Sequence, residues 1–130
     1  MRTRWLEANP LVEETRNQVA IKRGPIVYCL ESADLPAATR LENVALRLGT
    51  RLEPVRRKLG DAQLVALRGT GIDSRRGPWR KDQLYREVEP DAPAPVTLEL
   101  VPYFAWGNRG ASAMSVWIPV GLQGTPAPKR

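Results

Sequence analysis

The sequence predicts an all-β fold with about eight or nine short antiparallel strands, arranged as a sandwich or a barrel. Short apolar runs alternate with turn residues, and turn signals recur roughly every 8 to 12 residues. The one stretch with helical spacing of its apolar residues, 40–59, contains Gly49 and Pro54, which are both unfavourable inside a helix. We therefore expect no helix longer than about three turns.

Two extended runs lie near the start of the chain, on either side of a Gly-Pro turn. Residues 18–23 are apolar on one face and predict a half-buried strand, whereas residues 26–31 are apolar on both faces and predict a central strand. Gly24 gives the connection its backbone freedom, and Pro25 fits only at the first residue of the second strand. Cys29 lies in that strand, where we expect it to be a small buried hydrophobic residue.

The middle of the chain predicts three more strands. Alternating apolar residues favour a strand at 44–48, a turn at Gly49, and a second strand that starts at Arg51. Residues 62–68 are apolar on both faces and predict an inner strand, which we expect to end at the glycines 69 and 71.

A long polar region separates this strand from the last hairpin. Residues 73–82 lack any hydrophobic period and predict an exposed loop that carries Trp79, followed by a short strand at 83–88 and a stiff proline-rich linker. The final strands are expected at 96–106 and 113–120, joined by a glycine-containing hairpin loop.

The sequence also predicts which side chains of the last strand share a face. Met114, Val116 and Ile118 should line one face of it, because side chains alternate along a strand. Residues 1–121 are expected to form one domain and residues 122–130 a disordered tail. The chain starts without the apolar run of a signal peptide, so we expect a bacterial cytoplasmic location.

Composition removes several classes of enzyme. The chain has no histidine and one cysteine, so Ser/His/Asp and Cys/His triads, histidine metal sites, cysteine zinc clusters and internal disulfides are excluded. Glu31 and Glu99 are the acids that fall at or inside predicted strands, and we interpret them as strand carboxylates paired with arginine. We therefore predict no catalytic, cofactor-binding or metal-binding residue.

The net charge of +6 is concentrated between residues 40 and 86, which hold twelve basic and five acidic residues. We interpret this excess as a solvated surface, with weak binding of nucleic acid as an alternative. Trp79 and Tyr85 are candidates for an inter-domain contact or for stacking on a sugar, because aromatic rings bury well on apolar partners of either kind.

Three stretches together resemble a known family: Glu7–Glu31, Leu67–Gly69 and Leu100–Pro119. The combination is similar to the C-terminal β-sandwich region of glycoside hydrolase family 127, the β-L-arabinofuranosidase-like proteins long filed as a domain of unknown function. The resemblance covers nearly the whole chain, apart from an apparent insertion at 73–82. It implies a jelly-roll-like antiparallel β-sandwich, which is the fold that we predict.

The resemblance also implies what this chain does not contain. In the family, catalysis belongs to a large N-terminal helical barrel with a cysteine nucleophile in a zinc site, and Cys29 does not match that cysteine. Zinc is therefore implied only for the absent catalytic domain. We expect a detached, non-catalytic accessory domain that packs on such a barrel.

The resemblance suggests where contacts would occur. Tyr103, Trp106, Asn108 and Arg109 become candidates for inter-domain or sugar contact, and self-association into a homo-oligomer is a further expectation. Specific nucleic acids and membranes are not expected partners. The alternative functions are an independent carbohydrate-binding β-sandwich and a weak nucleic-acid-binding β-domain.

Overall fold

The fold is described from a computed structural model, which covers residues 1–88, 90, 92–106 and 113–121. The described residues form nine strands: β1 (Thr3–Leu6), β2 (Gln18–Arg23), β3 (Ile26–Glu31), β4 (Val44–Arg47), β5 (Glu53–Leu59), β6 (Ala62–Asp73), β7 (Ala94–Pro102), β8 (Met114–Ser115) and β9 (Ile118–Gly121). Short 3₁₀ turns occur at Glu13–Thr15, Ser32–Asp34, Leu41–Asn43 and Tyr103–Ala105. Within these ranges, no helical segment has the length and hydrophobicity needed to span a bilayer.

Six strands close into a barrel, so the predicted sandwich is wrong. The ring runs β2–β9–β4–β6–β7–β3, and β3 pairs with β2 to complete it. Its neighbours are antiparallel except for β4 and β9, which are parallel. The remaining strands β1, β5 and β8 lie off the ring and pair with β2, β6 and β3 respectively.

The end of the chain closes the ring. Near their turn β2 and β3 pair directly, with Arg23 opposite Ile26. Beyond this, β8 pairs with β3 at Glu31 while β9 pairs with β2 at Val19, so the β8–β9 segment lies between the two arms of the β2–β3 hairpin. Inward-facing residues alternate in the same way in a sandwich and a barrel. Periodicity therefore does not show which strands meet at the edges.

The barrel interior holds one core of buried side chains. A tyrosine is part of this core: the Tyr28 hydroxyl donates a 2.7 Å hydrogen bond to the carbonyl oxygen of Val65. Burial raises the pKa of Tyr28 above its usual value of 10.0, and the nearby Arg23 guanidinium partly opposes this shift. The other buried members of the core are Val19, Ile21, Leu30, Val44, Leu46, Leu52, Leu67, Val96, Leu98, Leu100 and Ile118.

Strand β6 continues through the two glycines that were expected to end it. A Cβ at Gly69 would lie 2.7 Å from Cδ2 of Leu52, and a Cβ at Gly71 would lie 2.7 Å from the carbonyl oxygen of Ala45. These glycines therefore allow neighbouring elements to pack closely against β6. Glycine within a strand can mark such a close approach and does not have to end the strand.

Three further sequence expectations can be compared with the structure. The stretch 40–59 forms the two predicted strands, β4 and β5, and Pro54 is tolerated because β5 pairs only with β6 among the described strands. The expected strand at 83–88 is wrong, because these residues belong to the 20-residue connection between β6 and β7. The predicted linker is shorter than expected, since β7 already begins at Ala94.

The last predicted strand is divided into β8 and β9. Met114 and Val116 pack on an outer cluster formed by the buried Cys29, Ala66 and Val101. Ile118, in contrast, lies in the barrel core. The expected common face of residues 114, 116 and 118 is therefore wrong, because the break at 116–117 turns the chain inward. The tail at 122–130 and the hairpin loop at 107–112 lie outside the described residues.

Candidate docking and ligand-contact surfaces

Four residues that follow β7 directly, 103–106, present three exposed aromatic side chains, and we call them the aromatic turn. Tyr103 is 47% exposed, Phe104 67% and Trp106 43%. The Tyr103 and Trp106 rings stack with their centroids 6.2 Å apart and their planes at 23°. The backbone N–H of Trp106 donates to the carbonyl oxygen of Tyr103, and the buried Ala105 anchors the turn.

The aromatic turn is the surface where the structure brings sequence-predicted contact residues together. Tyr103 and Trp106 were both candidates, and they form one stacked pair. Asn108 and Arg109, predicted for the same surface, lie outside the described residues. Clustered exposed aromatic rings are typical of surfaces that bind another molecule, because they bury a large apolar area on contact. The turn is therefore a candidate docking surface.

The connection between β6 and β7, residues 74–93, is the second surface, and we call it the long loop. Its ends meet where Asp73 pairs with Ala94. The loop is braced internally: Nε of Arg75 donates to the carbonyl oxygen of Ala92 at 2.7 Å, and Arg86 donates to the carbonyl oxygen of Gly77 at 3.1 Å. A compact loop with close ends and internal bonds is a frequent location for binding residues.

Both aromatic candidates of the long loop are at its surface. The guanidinium of Arg86 lies over the Trp79 ring, 4.1 Å from the ring centroid, while the indole stays 46% exposed. Tyr85 is 87% exposed. Arg86 thus fixes the orientation of Trp79 by a cation–π contact, and Tyr85 projects into solvent.

One of the two strand carboxylates, Glu99, belongs to a structural ion cluster. Oε2 of Glu99 in β7 lies 3.1 Å from Nη1 of Arg57, and Oε1 lies 3.6 Å from Nη2 of Arg68. These ion pairs are as expected for a strand carboxylate paired with arginine. Arg57 also contacts Oδ1 of Asp34 at 3.0 Å. Glu31 is buried at the end of β3.

Glu31 and Glu99 do not form an open pair for cleaving a glycoside. Glu31 pairs with Met114 of β8, whereas Glu99 pairs with Arg68 of β6. One of these carboxylates is closed off from solvent and the other is neutralised by two arginines. A glycosidase instead needs two carboxyl groups that both reach the scissile bond of a bound sugar.

The described residues of this chain do not fit a zinc site. Cys29 is buried in the outer cluster, and no histidine is present to join it. Among the described residues, no three His, Cys, Asp or Glu side chains are grouped so that they could hold a metal ion. Zinc needs about four such ligands at a structural site and three at a catalytic one.

Some residues at these surfaces were missed by the sequence analysis. Phe104 is the most exposed member of the aromatic turn, and the clustering of three aromatic residues within positions 103–106 was an available signal. Arg86, in contrast, contacts Trp79 from seven positions away in an aperiodic loop, and nothing in the sequence marks that pairing.

Comparison with known proteins gives the family. The family model for the glycoside hydrolase family 127 C-terminal domain matches residues 3–119. A non-reducing end β-L-arabinofuranosidase of Bifidobacterium longum subsp. longum is 34% identical over 123 residues, which is 90% of this chain and 18% of that protein. The chain therefore spans about a fifth of the length of the curated relative that it matches.

Solved structures agree with this assignment. A structure described as a glycoside hydrolase superposes with a TM-score of 0.84 at 41% identity and covers 92% of this chain and 19% of its own. A family 127 β-L-arabinofuranosidase from Geobacillus stearothermophilus T6 gives a TM-score of 0.76 at 35% identity, over 92% of this chain and 18% of its own. In these larger proteins the catalytic part lies outside the matched region, and the chain described here belongs to the glycoside hydrolase family 127 C-terminal domain family.

Proposed function

We propose that this domain serves a β-L-arabinofuranosidase-like glycoside hydrolase by docking onto its catalytic helical barrel through the aromatic turn. The observation that carries the proposal is the stacked, exposed pair of Tyr103 and Trp106 with Phe104 between them. The partner follows from the family, because the matched relatives are several times longer than this chain.

The physical case for docking rests on the rigidity of the aromatic turn. Its backbone is fixed by the Trp106 to Tyr103 hydrogen bond and by the buried Ala105. Rings that are held in place before contact lose little conformational entropy when they are buried, so more of their apolar area contributes to affinity. Aromatic residues also dominate the energetic centres of protein interfaces.

The proposed role is structural, and the hydrolysis belongs to the partner. The ion cluster around Arg57 occupies Glu99, and no group of three possible metal ligands is found among the described residues. Zinc and the nucleophile would be supplied by the catalytic barrel. The sugar specificity of the assembled enzyme would be set there as well.

Titration calorimetry tests this proposal. The 130-residue chain would be titrated into the Bifidobacterium longum relative from which its own C-terminal domain has been deleted. We expect saturable 1:1 binding, weakened about thirtyfold or more by Trp106→Ala, since truncating a central aromatic residue removes roughly 2 kcal/mol or more.

Leu48→Ala is the matched control. Leu48 is exposed but lies in the turn directly after β4, outside the aromatic turn. Its truncation should leave the affinity unchanged. Equal affinity of the wild type and the Trp106→Ala variant, or no binding by the wild type, would contradict the proposal.

A further inference from the structure

A cavity of about 300 Å³ lies between the long loop and the 3₁₀ turn Leu41–Asn43. The loop is bound to this turn directly: the Asn43 side chain donates to the carbonyl oxygen of Arg76 at 2.9 Å, and the N–H of Ser74 donates to the carbonyl oxygen of Asn43 at 2.9 Å. The cavity walls are therefore tied together by hydrogen bonds. A cavity of this size matches the lower end of small-molecule sites.

An oriented aromatic ring lines the cavity. Trp79 and Arg86 both line the cavity. The guanidinium of Arg86 covers one face of the indole, 4.1 Å from the ring centroid. The remaining indole surface is open, since the side chain is 46% exposed. An indole that is fixed in position and partly open offers an apolar platform for a ligand with an apolar face.

The polar groups of the cavity balance in charge. Glu42 and Glu87 contribute two carboxylates, and Arg76 and Arg86 contribute two guanidinium groups. An anionic ligand would gain from the arginines and lose to the carboxylates, so a simple anion has no net electrostatic advantage here. Neighbouring hydroxyl groups, in contrast, can donate to a carboxylate and accept from a guanidinium.

A larger groove adjoins this cavity. It measures about 460 Å³, and Glu42 lines both spaces. Trp117 is part of its wall, together with the polar side chains of Gln18 and Ser115. The second groove thus repeats the combination of an indole with hydrogen-bonding groups, and a ligand longer than one ring could extend from the cavity into it.

We propose that the cavity beside Trp79 is a non-catalytic binding site for a neutral sugar, and that the adjoining groove receives a further sugar unit. A sugar ring has an apolar face for the indole and hydroxyl groups for the carboxylates and guanidinium groups of the cavity. The site lies on the long loop and the Leu41–Asn43 turn, so it is distinct from the aromatic turn. It does not depend on docking to the catalytic partner.

NMR titration of the full chain tests the proposal. Each of the four tryptophans has one indole N–H, and these signals would be followed while L-arabinose and a linear L-arabinose trisaccharide are added. We expect a saturable shift of the Trp79 signal with both probes and a lower dissociation constant for the trisaccharide. The Trp106 signal, which reports on the aromatic turn, should stay in place.

Two variants separate binding from folding. Trp79→Ala should abolish the saturable shift that the trisaccharide causes in the indole signal of Trp117, which lines the adjoining groove. Glu42→Gln leaves the Arg86–Trp79 contact in place and should weaken binding about tenfold, as expected for a lost hydrogen bond to a charged group. Trp106→Ala is the matched control and should bind as the wild type does.

Three results would overturn the proposal. The first is the absence of any saturable shift with either sugar. The second is sugar binding that survives both Trp79→Ala and Glu42→Gln in variants that keep a dispersed spectrum. The third is a Trp79 shift with inorganic phosphate and none with sugars, which would make the cavity an anion site.

Discussion

Nη1 of Arg57 lies 3.0 Å from Oδ1 of Asp34, and this contact joins the middle of strand β5 to the turn that follows β3. The Asp34 side chain is 2% exposed, so its charge is buried beside that of Arg57. Since β5 is off the six-strand ring, the ion pair ties an outer strand to the turn that follows the ring strand β3.

Arg57→Leu should lower the free energy of unfolding by about 2 to 3 kcal/mol, because it removes the cation that faces both Asp34 and Glu99. Urea unfolding followed by circular dichroism would measure the change. Arg56→Leu is the matched control, since Arg56 is an exposed neighbour in β5 and its loss should change stability by less than about 0.5 kcal/mol. Equal effects of the two variants would contradict the role of the ion cluster.

Tyr28→Phe should cost about 1 kcal/mol at neutral pH, because it deletes the hydrogen bond to the Val65 carbonyl oxygen. Burial raises the pKa of Tyr28 above 10.0, so the folded chain keeps this proton when the unfolded chain loses it. The stability that the raised pKa contributes is complete below pH 10.0 and declines as the pH rises beyond it.

The difference in the free energy of unfolding between the wild type and Tyr28→Phe should therefore be smaller at about pH 11 than at about pH 8. Urea midpoints at the two pH values would measure it. A difference that stays constant or widens with pH would contradict the burial of the neutral phenol.

Gly71→Ala should destabilise the barrel by about 1 to 3 kcal/mol, because its Cβ would lie 2.7 Å from the Ala45 carbonyl oxygen and also meet the Leu98 side chain. Thr70→Ala, one position earlier and exposed, is the control and should be nearly neutral. Thermal unfolding of both variants gives the comparison. A neutral Gly71→Ala would mean that the strands are not as close as described.

The isolated chain should hydrolyse no aryl arabinofuranoside, with or without added zinc. Glu99 is held by Arg57 and Arg68, Glu31 is buried, and Cys29 lies in an apolar cluster. Release of the aryl group would be followed by absorbance at high protein concentration. Turnover that disappears in Glu31→Gln or Glu99→Gln would contradict the non-catalytic assignment.

The strands of the barrel could largely be predicted from the sequence, because each has a clear local signal. Residues 18–23 and 26–31 form β2 and β3 as expected, and the glycine and proline within 40–59 correctly divide that stretch into two strands. The closure of the sheet could not be predicted, because it depends on β8 and β9 lying between β2 and β3. That contact joins segments nearly a hundred residues apart and leaves no local pattern.

The candidate surfaces were predicted in part. Tyr103 and Trp106 were singled out through the family resemblance, although the predicted strand at 96–106 included them, and the structure stacks them in the turn that follows Pro102. The cavity beside Trp79 could not be predicted, because it requires the long loop to fold onto the Leu41–Asn43 turn through Asn43 and Arg76. Glycines 69 and 71 led to a different error. They were interpreted as the end of a strand, but they lie inside β6, where they allow close packing.

The most direct test of the central claim is amide hydrogen exchange of the chain, measured free and bound to the truncated Bifidobacterium longum relative. Docking through the aromatic turn predicts that protection on binding is strongest in peptides that cover residues 102–106, while peptides from the long loop at 74–88 exchange equally in both states. Protection confined to the long loop, or no protection at residues 102–106 in a saturated complex, would contradict the account.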